Sequence, residues 1–219
     1  MKTHRLRKIF AIMTILSFSS VFGGAPEQGF WRWFEKNEDL LFNFEKDREK
    51  TFDKLSREMH KVNPELTFEF GPVEKDGKRE FVITAGGVKK AFPAVESLFQ
   101  TAPKLKRWKF IKFRPRRTPI NDLEYGGKSI AAKNVHYKMF KDGEKIGLVL
   151  FFDGYNDKER DTFGQLGYLF LDEALGEYDM EMKVGFIEFH GRDSKHFQGA
   201  KPLSELAAHF DEYSRNKDK

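Results

Sequence analysis

The chain has 219 residues, of which 39% are hydrophobic and 33% charged, enough for one or two domains around a real core. Its 24 phenylalanines stand against six tyrosines and three tryptophans, a composition too aromatic for a disordered chain. The absence of cysteine excludes disulfides, thiolate nucleophiles and Cys-ligated metal sites.

Lys2, Arg5, Arg7 and Lys8 precede an apolar run from Ile9 to Phe22, and Gly23, Gly24 and Ala25 follow. A basic start, an apolar stretch and small residues at its end make residues 1–23 a secretory signal peptide. Val21 and Gly23 suit the positions before cleavage, whereas cleavage after Ala25 would put Pro26 first. No cysteine is present for a lipoprotein anchor, and the run is short for an uncleaved membrane anchor. The expected location is periplasmic or secreted, with membrane contact only through an uncleaved signal. Cleavage removes four basic residues and no acid, so the formal charge of +5 becomes 5 − 4 = +1. Net charge therefore gives no support to nucleic-acid binding.

Apolar spacing predicts a long helix from Phe30 to Val62, with a break near Asn37 and an end at Asn63-Pro64. Leu66 to Val73 alternates as a strand, Asp76-Gly77 suits a type I′ hairpin turn, and Glu80 to Thr84 is the return strand. Phe92 to Ala102 is a short helix between Pro93 and Pro103, and Trp108 to Arg114 a third strand. Arg116 to Lys128 has the turn residues of a linker. Ser129 to Phe140 and Lys145 to Phe152 form a second hairpin through Asp142-Gly143. Asp157 to Leu175 is a helix closed by Gly176, Met182 to His190 a strand, and Pro202 to Tyr213 a last helix.

The two halves repeat one order of strand, Asp-Gly hairpin, strand, helix and strand. Phe110-Ile111-Lys112-Phe113-Arg114-Pro115-Arg116 reads beside Phe186-Ile187-Glu188-Phe189-His190-Gly191-Arg192. The turns lie 142 − 76 = 66 positions apart and the third strands 186 − 110 = 76, so the second half is longer by ten. An internal duplication accounts for this simply. The expected fold is α+β: one domain over residues 30–213, with ββαβ halves at 30–117 and 129–213. Its sheet is largely antiparallel, with helices on one side and a long N-terminal helix.

Phe30-Trp31-Arg32-Trp33-Phe34, Phe68-Glu69-Phe70-Gly71-Pro72, Phe110 to Arg117, Gly176-Glu177-Tyr178-Asp179 and Val184 to His190 are similar to phrases of a bacterial protein family known only as a domain of unknown function. The resemblance spans about residues 30 to 213. It implies a compact bacterial α+β domain and no activity, cofactor or site residue.

Two groups are candidates for a site. Lys104 to Arg117 carries eight basic residues and no acid, with Trp108, Phe110 and Phe113 interleaved. Lys112, Arg114, Arg116 and Arg117 could meet an anionic envelope component. Rings on both faces read instead as a buried strand whose charged heads reach solvent. Glu188, His190 and His196 offer nitrogen and oxygen ligands for a divalent metal.

Three further patterns read as structural. Gly126-Gly127-Lys128-Ser129 lacks the first glycine and the following helix of a phosphate loop. Asp153, Asp157, Glu159 and Asp161 complement a helix start. Glu177, Asp179 and Glu181 alternate as on an edge strand. No cofactor is indicated. The expected function is a non-catalytic binding or structural domain of the cell envelope. The alternative is a metal- or carboxylate-dependent hydrolase using Glu188, His190 and His196.

Overall fold

Pro26, with its fixed φ and no N–H to satisfy, opens the first helix. The structure, a computed structural model, describes residues 25–217, so the expected signal at 1–23 lies outside the described residues. In place of one long N-terminal helix the chain forms α1 (Pro26–Lys36), α2 (Glu38–Phe42), a 3-10 turn (Phe44–Lys46) and α3 (Arg48–His60). The expected break at Asn37 is there, and Asn43 makes a second. Each asparagine turns its amide back: Asn37 donates to the Trp33 carbonyl and Asn43 to that of Asp39, both at 2.8 Å. These amides satisfy the end of the preceding helix rather than capping the next one.

In the first half β1 (Thr67–Val73) pairs antiparallel with β2 (Arg79–Thr84). Helix α4 (Phe92–Gln100) then crosses over, and β3 (Trp108–Lys112) returns parallel to β2. Phe68, Phe70, Phe81, Ile83, Trp108 and Phe110 form one core with Trp31 and Phe34 of α1, Leu55 and Met59 of α3, and Val95 and Leu98 of α4. Trp108 is 4% exposed, as a buried strand requires. Trp31 is fixed by donating its indole N–H to the Leu98 carbonyl at 2.9 Å.

The expected linker contains a small hairpin, β4 (Leu123–Tyr125) and β5 (Lys128–Ile130), turned at Gly126-Gly127. In the second half β6 (His136–Asp142) pairs antiparallel with β7 (Lys145–Phe152). Helix α5 (Arg160–Lys183) crosses over and β8 (Val184–Gly191) returns parallel to β7. A two-residue strand, β9 (Lys201–Pro202), pairs with His136 and Tyr137 on the other side of β6, and α6 (Leu206–Lys217) ends the described chain. The sheet orders are β1-β2-β3 and β8-β7-β6-β9. The fold is thus α+β, and its halves share one wiring: an antiparallel hairpin, a helical crossover, and a third strand parallel to the second.

Both hairpins differ from type I′, which needs positive φ at both central residues. Gly77 and Gly143 have positive φ, but their neighbours do not. The second turn is Gly143-Glu144, since Asp142 pairs with Lys145, and it places glycine first.

Helix α5 departs most from expectation. It reaches Gly176 and then resumes to Lys183, so Glu177, Asp179 and Glu181 lie on helix rather than on an edge strand. Glu, Met and Lys are good helix formers, and the coil of the helix takes Met180 into the second core while Met182 meets the first. Gly176 has φ 75 and ψ 156, and a Cβ there would lie 3.0 Å from the Arg114 carbonyl oxygen. Only glycine accepts both demands.

That bend delivers Glu177, which is fully buried. Its Oε1 accepts the N–H groups of Ala85 at 3.1 Å and Gly87 at 3.0 Å, and its Oε2 that of Arg114 at 3.0 Å. Its own N–H donates to the Arg114 carbonyl at 3.0 Å. The exits of β2 and β3 are thereby tied to α5. Glu177→Ala should cost about 3–5 kcal/mol, because three backbone donors lose their acceptor at once. Trp108→Ala should cost a similar 3–5 kcal/mol, roughly, by leaving a cavity. Urea unfolding checks both, and a Glu177→Ala loss below about 1 kcal/mol would show that the clamp does not hold the halves.

Candidate functional site

The four basic candidates of the β3 exit are ion-paired within the molecule. Lys112 meets Glu96 at 3.1 Å. Arg114 contacts Asp172 and lies 3.9 Å from Glu69, and Arg117 is 3.8 Å from Glu69. Arg116 reaches Asp179 at 2.6 Å and Asp211 at 2.8 Å, and its Nε donates to the Leu175 carbonyl at 3.0 Å. Asp172, Leu175 and Asp179 belong to α5 and Asp211 to α6, so Arg114 and Arg116 join the two halves. Their heads do not stand free in solvent, as strand-end charges were expected to. The reason is that α5 runs on past Gly176 and brings its acids over this strand exit.

Burial holds the Glu69, Asp172 and Glu181 carboxyls above their ordinary values, with the neighbouring carboxylates adding to the effect. The Arg116 hydrogen bond instead lowers Asp211.

Glu188 and His190 come together on β8, with His190 Nε2 3.2 Å from Glu188 Oε2. The His190 and His196 rings are 5.6 Å apart, centre to centre. Among the described residues, no group of three or more His, Asp or Glu side chains is arranged to hold a metal ion.

A cleft of about 830 Å³ lies between β8, the first turns of α5 and the β4–β5 hairpin. Gly164 and Gly167 let the Phe189 ring press against α5, since a Cβ on Gly167 would fall 2.1 Å from that ring. Tyr168 sits edge-on to Phe189 at 5.6 Å. The hairpin is held at the rim by Lys128, which pairs with Glu159 at 3.0 Å and lies 4.9 Å from the Phe163 ring centre. This presents Tyr125 to the cleft. Tyr125 and Tyr168 are 45% and 48% exposed, and Tyr155 lines the same space. Asp157, Arg160 and Asp161 project here, and none of the three has an ion-pair partner among the described residues.

Sequence reading found Glu188 and His190 of this cleft but assigned Asp157 and Asp161 to the helix dipole alone, and it missed the three tyrosines. The glycine pair at 164 and 167 was the available signal of a close strand–helix approach. Comparison with family models, with curated proteins and with solved structures finds no match to this chain.

Replacing both Arg114 and Arg116 by Gln should cost about 1–3 kcal/mol, because charge-assisted bonds between the halves are lost. Neither the wild type nor this variant should be retained on heparin at physiological salt. Retention of the wild type alone would reinstate the anionic partner. A pH effect follows from Glu181. Its folded pKa lies above the ordinary 4.5, so the folded state binds more protons and stability falls as pH rises through that interval. Glu181→Gln should therefore be more stable than wild type at neutral pH and lose that advantage below pH 4.5, read from melting temperatures across the range.

Proposed function

We propose that this is an exported bacterial envelope protein that acts by binding, and that the cleft beside β8 is its ligand site. The observation that carries the reading is the contrast in how charge is used. Around α5 and the β3 exit, acids and bases are paired across the molecule. In the cleft Asp157, Arg160 and Asp161 have no ion-pair partner among the described residues and lie beside two exposed tyrosines. Exposed aromatic rings and unpaired polar heads converging on one concavity are what a recognition site needs.

The hydrolase alternative has less behind it, because His196 does not line the cleft that takes in Glu188 and His190. The export half of the reading rests on the pattern of residues 1–23. Among the described residues no helix is long and apolar enough to cross a membrane. The shared wiring of the halves supports the further proposal that they arose by duplication. Membership of the uncharacterised family whose phrases the chain resembles belongs to the same proposal and adds no activity.

Amide NMR with a library of small polar aromatic fragments tests the site. Shifts should concentrate at residues 125, 155–168 and 187–190 and disappear in Tyr168→Ala. Shifts gathered elsewhere, or none, would overturn the assignment. N-terminal sequencing of the protein from its host should begin at Gly24, and an intact Met1 would overturn export.

A further inference from the structure

Among the described residues, strand β8 stands at one side of its sheet and has a strand neighbour on the β7 side only. Alternation puts Ile187 and Phe189 on the face toward α5 and Glu188 and His190 on the opposite face. All four line the cleft. Residues from both faces of one strand border a single space when it wraps the strand's end or its free edge, and a run of four residues from Ile187 to His190, with Tyr168 two turns into α5, carries this one along the edge. The cleft is therefore a channel beside the outward N–H and C=O groups of β8, with Tyr168 of α5 and Tyr125 of the β4–β5 hairpin at its walls.

The equivalent edge in the first half is treated differently. β3 carries Lys109 and Lys112, charges of the kind that discourage strand addition. β8 reads Val-Gly-Phe-Ile-Glu-Phe-His-Gly, with neither lysine nor proline. On the far side of its sheet β9 covers only His136 and Tyr137 of β6, and the rest of that edge carries Lys138 and Lys141. Among these positions only the β8 edge combines a strand free of lysine and proline with a walled channel.

We infer that β8 accepts an extended, basic polypeptide segment as an added strand, an inference that rests on the cleft being the ligand site. Main-chain hydrogen bonds to Ile187–His190, a span of roughly 13 Å, would supply affinity, and the tyrosines would pack its side chains. Charge selects the occupant. The channel bears Asp157, Asp161 and Glu188 against Arg160, so lysine or arginine in the segment finds complementary charge. A second copy is disfavoured on the same ground, because pairing two β8 edges would bring two acidic channels together.

The test uses the purified protein and fluorescein-labelled hexapeptides that alternate lysine or arginine with valine, isoleucine or tyrosine. Anisotropy should show binding that weakens with salt, and hydrogen exchange should slow at residues 187–190. Methylating alternate peptide nitrogens should abolish binding, since strand addition needs those donors. Asp157→Asn with Asp161→Asn should weaken it by about tenfold while leaving the melting temperature near that of wild type. Fragment shifts in the cleft without hexapeptide binding would overturn the strand-addition inference and leave the cleft as a site. Failure of both would remove both readings. Binding that survives methylation, or protection of 187–190 by dimerisation without peptide, would also overturn it.

Discussion

The Glu177 carboxylate belongs to α5 of the second half, yet all three N–H groups it accepts come from loops of the first. A fully buried carboxylate is costly unless it is well hydrogen-bonded, and these donors, with the start of a helical segment behind it, satisfy that demand. The rest of the junction follows. Gly176 must leave helical geometry to bring Glu177 in, and Arg114 must face it with both N–H and C=O. Phe113, just before, is driven to φ 61, a left-handed value that costs a bulky residue of order 1 kcal/mol. Its N–H bonds to the Ile83 carbonyl at 2.8 Å, and its ring packs 4.6 Å from Phe92 and 5.2 Å from Tyr178.

Around that junction the charges divide into two populations. One is turned inward: Arg114, Arg116 and Arg117 face Glu69, Asp172, Asp179 and Asp211 and bind the halves side by side. The other lies at the opposite end of α5, where Asp157, Arg160 and Asp161 open on the cleft without ion-pair partners among the described residues. One helix therefore has an end tied into ion pairs and an end open to the cleft. The break at Gly176 lets its last turns serve the first half while its first turns remain with the second sheet.

The phenylalanine content explains how a chain without disulfides holds a core of modest helices and short sheets. Trp108 touches Phe34, Phe42 and Phe70 with ring centres 5.0, 5.6 and 5.7 Å away, all within the range of favourable aromatic contact. Arg79 is buried in the same cluster, bonded to Glu45 at 2.5 Å and lying 4.6 Å from the Phe44 ring centre. Its Nε and Nη1, like the Trp108 indole nitrogen, have no conventional hydrogen-bond acceptor among the described residues. The faces of Phe42 and Phe44 provide the negative surface that a cation or an N–H can use instead.

Local chemistry was enough to read the three main strands of each half, the two hairpins, the break at Asn37 and the burial of Trp108, because alternation and turn residues act over a few positions. It missed β4, β5 and β9 and the 3-10 turn at Ala132–Asn134 that splits the expected strand Ser129 to Phe140. The equal wiring of the halves was legible for the same reason, through Phe110–Arg116 beside Phe186–Arg192. What the chain alone left open was every feature set by contact between distant segments. Glu177, Asp179 and Glu181 alternate like strand residues, and only the loops of the first half, 63 to 92 positions away, make Glu177 the buried end of a bend. Arg114 and Arg116 read as exposed heads because their acids lie on helices far along the chain. The tyrosines of the cleft carry no spacing signal, since Tyr125, Tyr155 and Tyr168 come from a hairpin, a loop and a helix. Periodicity shows which side of a strand is apolar; the packing of one element on another decides whether its edge is closed or left open as β8 is.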